Sequence, residues 1–114
     1  VKYLLTINMT PALWESLPES AKQDVYDGHG AFMKNNAAEF VETKALAGPG
    51  ESVTVRVREG ETQPEIGLIH GSETFLCGYY LVDVPTKDRA IELAAEVPEA
   101  KHTAVEVRPV EYEG

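Results

Sequence analysis

Hydrophobic and polar positions alternate from the start of the chain. Over Lys2–Met9, Tyr3, Leu5, Ile7 and Met9 share one face and Lys2, Leu4, Thr6 and Asn8 the other, the period of two that marks a β-strand. A loop carrying Thr10, Pro11 and Trp14 is expected next. Ser16 and Pro18 then stand where a helix N-cap and first turn would. Ala21, Val25, Phe32, Met33 and Phe40 fall within roughly a third of a helical wheel, which predicts a helix reaching about Phe40 with that arc buried. Gly28 and Gly30 interrupt it, each costing about 1 kcal/mol against alanine. Their presence predicts a kink, two shorter helices, or close approach of another backbone or a ligand.

Val41–Ala47 reads as a strand closed by Gly48-Pro49-Gly50. Val53, Val55 and Val57 alternate with Thr54, Arg56 and Arg58 and end at a Glu59-Gly60 hairpin turn. The short run Ile66–His70, holding Gly67, predicts an edge strand or a bulge. Leu76–Val84 is apolar on both faces around Tyr79-Tyr80-Leu81-Val82, as a central strand is. Pro85 ends it, Thr86 is placed to cap a second helix with an apolar stripe of Ala90, Ile91, Leu93, Ala94 and Val97, and Pro98 stops that helix. Thr103–Val110 supplies the last strand.

The order β-α-β-β-(β)-β-α-β predicts an α+β fold, a ferredoxin-like antiparallel sheet with two helices on one face, as a single domain over residues 1–114. Two helices cover one face, so the other needs water, a partner subunit or a ligand. Thr6, Asn8, Asp83, Glu106 and Arg108, with Leu4, Tyr79 and Leu81 among them, are expected there. Such a mixed face suits a two-fold symmetric homodimer enclosing a small cleft.

With 114 residues, 43% of them hydrophobic, the chain has room for one core. Ten Lys+Arg against 19 Asp+Glu give a formal charge of -9, which disfavours nucleic acid and anionic membranes as partners. The lone cysteine, Cys77, closes no intrachain disulfide, and no apolar run approaches the ~18 residues of a membrane span. Val1-Lys2 leads straight into a strand rather than a signal-peptide apolar region, so a cytoplasmic location is expected.

Several segments carry a family resemblance: Val1-Lys2-Tyr3-Leu4-Leu5, the Trp14 loop, Ala31-Phe32, Thr54-Val55-Arg56-Val57-Arg58-Glu59-Gly60, Gly78-Tyr79-Tyr80-Leu81-Val82, and Val105-Glu106-Val107-Arg108-Pro109-Val110. In this order and spacing they resemble the DGPF branch of the YCII-related family over nearly the whole chain. The resemblance implies a dimeric α/β barrel of ferredoxin-like type, with a small-molecule cleft between the subunits' sheets and helices. Where the branch carries Asp-Gly-Pro-Phe, this chain reads Ile66-Gly67-Leu68-Ile69, so no role that needs that aspartate carries over.

His29 lies in the buried arc of the first helix, and the resemblance places it where the broader family has its catalytic histidine. An imidazole, with a pKa ordinarily of about 6.5, suits proton transfer near neutral pH. The competing reading is a packed core histidine. Asp27 is too close along the helix to orient it; Asp83 and Glu106 are the acids the fold could bring. His102 is a second candidate catalytic residue, because the resemblance includes a run similar to Pro98-Glu99-Ala100-Lys101-His102, and His70 is a third. Tyr79, Asp83 and Arg108 are candidate substrate-binding residues on the second face. Arg108 has Glu106 two residues before it, so an internal ion pair competes with a role as an anion clamp.

Cys77 in its apolar strand reads as a structural thiol, and Glu92, Glu96, Glu99, Glu111 and Glu113 as a solvated acidic surface. Metal is not expected, since there is no H-x-x-x-H, H-E-x-x-H or C-x-x-C spacing, and no cofactor is expected, since there is no G-x-G-x-x-G or P-loop. The expected function is small-molecule binding, with cofactor-independent proton transfer by His29 in a cleft at the dimer. The alternative is a non-catalytic ligand-binding or regulatory accessory dimer.

Overall fold

The structure is a computed structural model, described here for residues 1–68 and 73–114. The elements are β1 (Lys2–Met9), α1 (Pro11–Ser16), α2 (Glu19–Asn35), β2 (Phe40–Ala45), β3 (Val53–Arg58), β4 (Glu61–Ile66), β5 (Phe75–Asp83), α3 (Lys87–Glu96) and β6 (Ala104–Pro109). Single 3-10 turns cover Pro49–Glu51 and Pro98–Lys101.

Four strands form an antiparallel sheet in the order β2-β5-β1-β6, the ferredoxin-like arrangement, and β3 pairs with β4 as a separate two-stranded arm. β5 is interior, as its double-sided apolar pattern requires. In β1 the alternation translates directly into burial: Tyr3, Leu5, Ile7 and Met9 are all buried, and the residues between them are half-buried. The Leu5 row, flanked by Tyr80 on β5 and Val107 on β6, faces Phe32 of α2 and Ala90, Leu93 and Ala94 of α3 across a single core. The two long helices therefore share one side of the sheet.

Several boundaries differ from the sequence reading, each for a local reason. The expected loop at Thr10–Trp14 contains α1, whose first position is Pro11, where the missing N–H has no intrahelical partner to lose. Ser16 ends α1, its hydroxyl donating to the Leu13 carbonyl at 2.7 Å, and Pro18 takes the N-cap position of α2. α2 runs unbroken through both glycines but stops at Asn35 rather than near Phe40. Asn36 closes it: its backbone N–H and its Nδ2 both donate to the Phe32 carbonyl at 3.0 Å, while Nδ2 also reaches Glu96 at 3.1 Å and Oδ1 accepts from Arg89 at 3.4 Å. Phe40 thus opens β2 and meets the Tyr80 ring edge-on.

The strand expected at Ile66–His70 is instead Glu61–Ile66, and Ile69 and His70 lie outside the described residues. β4 is exposed along its whole length, so no alternation marks it. The Glu59-Gly60 turn, with φ of 53° and 79°, sets its register as type I′ turns do. Thr86 caps α3 as expected, accepting from the Arg89 N–H at 3.2 Å, but Ile91 faces solvent at 49% exposure and is not part of the buried stripe.

Candidate active site: a tyrosine, a histidine and a buried glutamate

α2 carries His29 above the sheet, over Tyr80 of β5. The neighbouring Gly28 explains itself at this point: a Cβ there would run into the Pro98 ring, so glycine lets the 3-10 turn after α3 seat against α2. That contact delivers the residue after Pro98. Glu99 packs with its side chain only 10% exposed, its two carboxylate oxygens 2.8 and 2.9 Å from His29 Nε2. On the other side of the ring, Nδ1 lies 2.6 Å from the Tyr80 hydroxyl.

Chemistry fixes the direction of these bonds. A carboxylate only accepts, so Nε2–H donates to Glu99, and in the neutral imidazole Nδ1 then accepts from the Tyr80 O–H. The single N–H serves Oε2, which leaves Glu99 Oε1 buried without a hydrogen bond. Burial and, second, the Glu99 charge push the Tyr80 phenol up to about 12, so it stays a donor at neutral pH. The same two causes push the Cys77 thiol up to about 11, and it remains an S–H donating to the Ile7 carbonyl at 3.4 Å, as the structural reading has it.

His29, Tyr80 and Glu99 line a cavity of about 270 Å³ whose other walls include Ile7, Met33 and Cys77. A second hollow of about 360 Å³ shares His29, Cys77 and Glu99 and is bounded by Trp14, Tyr26 and Phe75. Together they form a largely apolar recess that holds the acid–imidazole–phenol row, with Thr43 and Lys44 of β2 also on its wall. The arrangement can accept a proton at the phenol oxygen while passing one to Nδ1, with Glu99 stabilising the imidazolium formed.

The other candidates lie elsewhere. His102 closes the 3-10 turn, its backbone N–H donating to the Glu99 carbonyl at 3.0 Å, and its side chain does not line the recess. Tyr79, Asp83 and Arg108 are on the open face of the sheet, away from His29. Tyr79 donates to Glu42 at 2.6 Å, Asp83 holds the Val1 amino group at 3.0 Å, and Arg108 pairs with Glu106 at 3.2 Å. Neither Asp83 nor Glu106 reaches His29; the acid that does is Glu99, which the sequence reading assigned to a solvated helical surface. Pro98 ends the helix before Glu99, so helical spacing does not apply to it. Tyr80, within the run expected as a central strand, is buried at 1% exposure and presents its hydroxyl to His29. The signals present in the sequence were the helix-stopping proline directly before Glu99 and the glycine directly before His29.

Among the described residues, no group of three or more His, Cys, Asp or Glu is placed to hold a metal ion, and no helix is long and apolar enough to cross a membrane.

An antiparallel sheet covered on one face by two helices, with a histidine-lined recess where α2 and the Pro98–Lys101 turn meet that sheet, defines an α+β domain of ferredoxin-like type. Residues 1–112 match the YCII-related domain, and the chain belongs to that family. Among solved structures it is similar to 5-chloro-2-hydroxyhydroquinone dehydrochlorinase from Burkholderia phenoliruptrix AC1100, in complex with 2,5-dihydroxybenzoquinone. The TM-score is 0.58 at 12% identity, over 99% of this chain and 96% of that one. No curated protein matches the chain.

Proposed function

We propose that this chain is a small-molecule enzyme of the DGPF branch, working as a homodimer and using His29 for proton transfer without a cofactor. The observation that carries the reading is the Tyr80–His29–Glu99 row on the wall of a largely apolar recess. A substrate hydroxyl gives its proton to the Tyr80 oxygen as the Tyr80 proton passes to Nδ1, and the imidazolium is held against Glu99. The orphaned Glu99 Oε1 is an acceptor for a second hydroxyl. Likeness to a dehydrochlorinase of a chlorinated hydroxyhydroquinone supports a lyase-type reaction on a small hydroxylated molecule.

The replaced branch signature favours a second reading. Ile66 and Gly67 stand at the end of β4, with Ile66 80% exposed and no carboxylate at that position, and a non-catalytic ligand-binding or regulatory dimer would need none.

A panel of small phenols, diols and carboxylates, read by thermal shift, tests both. A ligand at 100 times its Kd adds about 2.7 kcal/mol, a shift of several degrees in a domain of this size. A hydroxylated compound is expected to stabilise the wild type and to lose a leaving group or exchange a carbon-bound hydrogen in deuterated water, and His29→Ala should abolish that chemistry. Binding without turnover or exchange at carbon in the wild type would establish the non-catalytic reading instead.

A further inference from the structure

The recess has more room than a hydroxylated ring needs. Its first hollow, about 270 Å³, holds the phenol–imidazole–carboxylate row and already exceeds the roughly 150 Å³ that encloses a benzene molecule. The second, about 360 Å³, has His29, Cys77 and Glu99 as a common wall with the first, so one molecule can lie in both. Apart from residues shared with the first, it is lined by Met9, Trp14, Val25, Tyr26, Leu46 and Phe75, all apolar or aromatic. Trp14 takes no part in the row, yet its ring is fixed in place. The Lys22 ammonium stands 5.8 Å from its centroid, and the Tyr26 ring meets it edge-on at 5.8 Å.

We propose that the substrate has two parts, a hydroxylated head at Tyr80, His29 and Glu99 and an uncharged apolar tail in the second hollow, with Trp14 and Tyr26 setting which tails are accepted. The head rests on the proton-transfer reading, to which the tail is added. Tyr26 is 60% exposed and Leu46 46%, so a tail covers apolar surface that water now meets. The wall is formed before the tail arrives, which keeps the cost of ordering it low.

Charge decides what the tail is. Among the described residues no Lys or Arg lines the second hollow, and the acid on its wall is the buried Glu99, whose Oε1 lacks a hydrogen bond. A carboxylate or phosphate on the tail would face that charge with no cation to answer it. The aliphatic and aromatic walls reward apolar contact instead. A hollow more than twice the size of one that holds benzene takes a chain of about six carbons or a second ring.

Titration calorimetry with resorcinol and its 4-alkyl derivatives, ethyl to hexyl, tests the proposal, the two hydroxyls serving as a head for the Tyr80 oxygen and Glu99 Oε1. In the wild type, Kd is expected to fall about fourfold for each methylene added. The emission of Trp14, the chain's one tryptophan, should move to the blue with the hexyl compound and stay where it is with resorcinol. Tyr26→Asp and, independently, Leu46→Asp are expected to flatten the dependence on chain length with unchanged far-UV dichroism, because both side chains are already exposed. His29→Ala is expected to weaken every member by one common factor, since it removes a contact to the head. A dependence that persists in both Asp variants, or is missing in the wild type because even the hexyl compound fails to bind, overturns the tail site. The head reading then stands or falls by exchange at carbon and its loss in His29→Ala. A series unchanged by His29→Ala overturns the head reading, and with it the two-part substrate, even where the dependence on chain length remains.

Discussion

Glu99 is a charge held out of water by its neighbours, and much of the recess chemistry follows from it. One oxygen is bonded to His29, the other has no hydrogen bond, and its field falls on both Tyr80 and Cys77. Glu99→Gln keeps the shape and removes the charge. Because burial is the larger cause at Tyr80, the variant's phenol should titrate below the wild type's value of about 12 yet remain above the ordinary 10.0, as read by phenolate absorbance. The raised pKa also contributes to stability: it favours the folded state fully below pH 10.0, and the advantage is lost as the pH rises through about 12. Tyr80→Phe should therefore flatten the alkaline end of the stability profile in denaturant titrations.

Two glycines in one helix separate packing from tolerance at the scale of elements. Gly28 lies under Pro98, whereas a Cβ at Gly30 meets nothing within 4 Å. Gly30→Ala should raise stability by about 1 kcal/mol. Gly28→Ala should lower it by about 2 kcal/mol through overpacking, and should also part His29 from Glu99. Urea midpoints of the two variants check the pair. The sequence was legible where one face of an element is buried: β1, β5 and the placing of His29 on the inner arc of α2 follow from period, while β3 shows in its valine alternation though it buries neither face, and the α3 cap shows in Thr86. It was silent where distant partners decide. The end of α2 depends on bonds from Asn36 to Arg89 and Glu96, more than 50 residues away. β4 buries neither face and so carries no pattern, and α1, at six residues, is too short for one. The acid facing His29 lies in a proline-started turn whose direction no periodicity encodes.

For the molecule as a whole, the excess of acids makes each cation a structural resource. Arg89 grips Glu39 with two bonds, 2.7 and 2.8 Å, and adds Glu92 at 3.0 Å, joining α3 to the segment between α2 and β2. Hydrogen bonding from Arg89 holds the Glu39 carboxyl below its usual 4.5. A depressed carboxyl stabilises the fold above that pH and stops doing so as the pH falls through its folded value. The wild type should thus outlast Glu39→Gln at neutral pH, with the two converging in acid, as thermal melts down to pH 3 would show. The separation of 70 positions between His29 and Glu99 has a temporal meaning as well. During synthesis the histidine emerges early and waits, without its acid, until β2, the arm, β5 and α3 have all followed. The paired histidine is consequently a property of the folded whole, and the hydrogen bond between His29 and Glu99 is itself a record that every element between them has found its place.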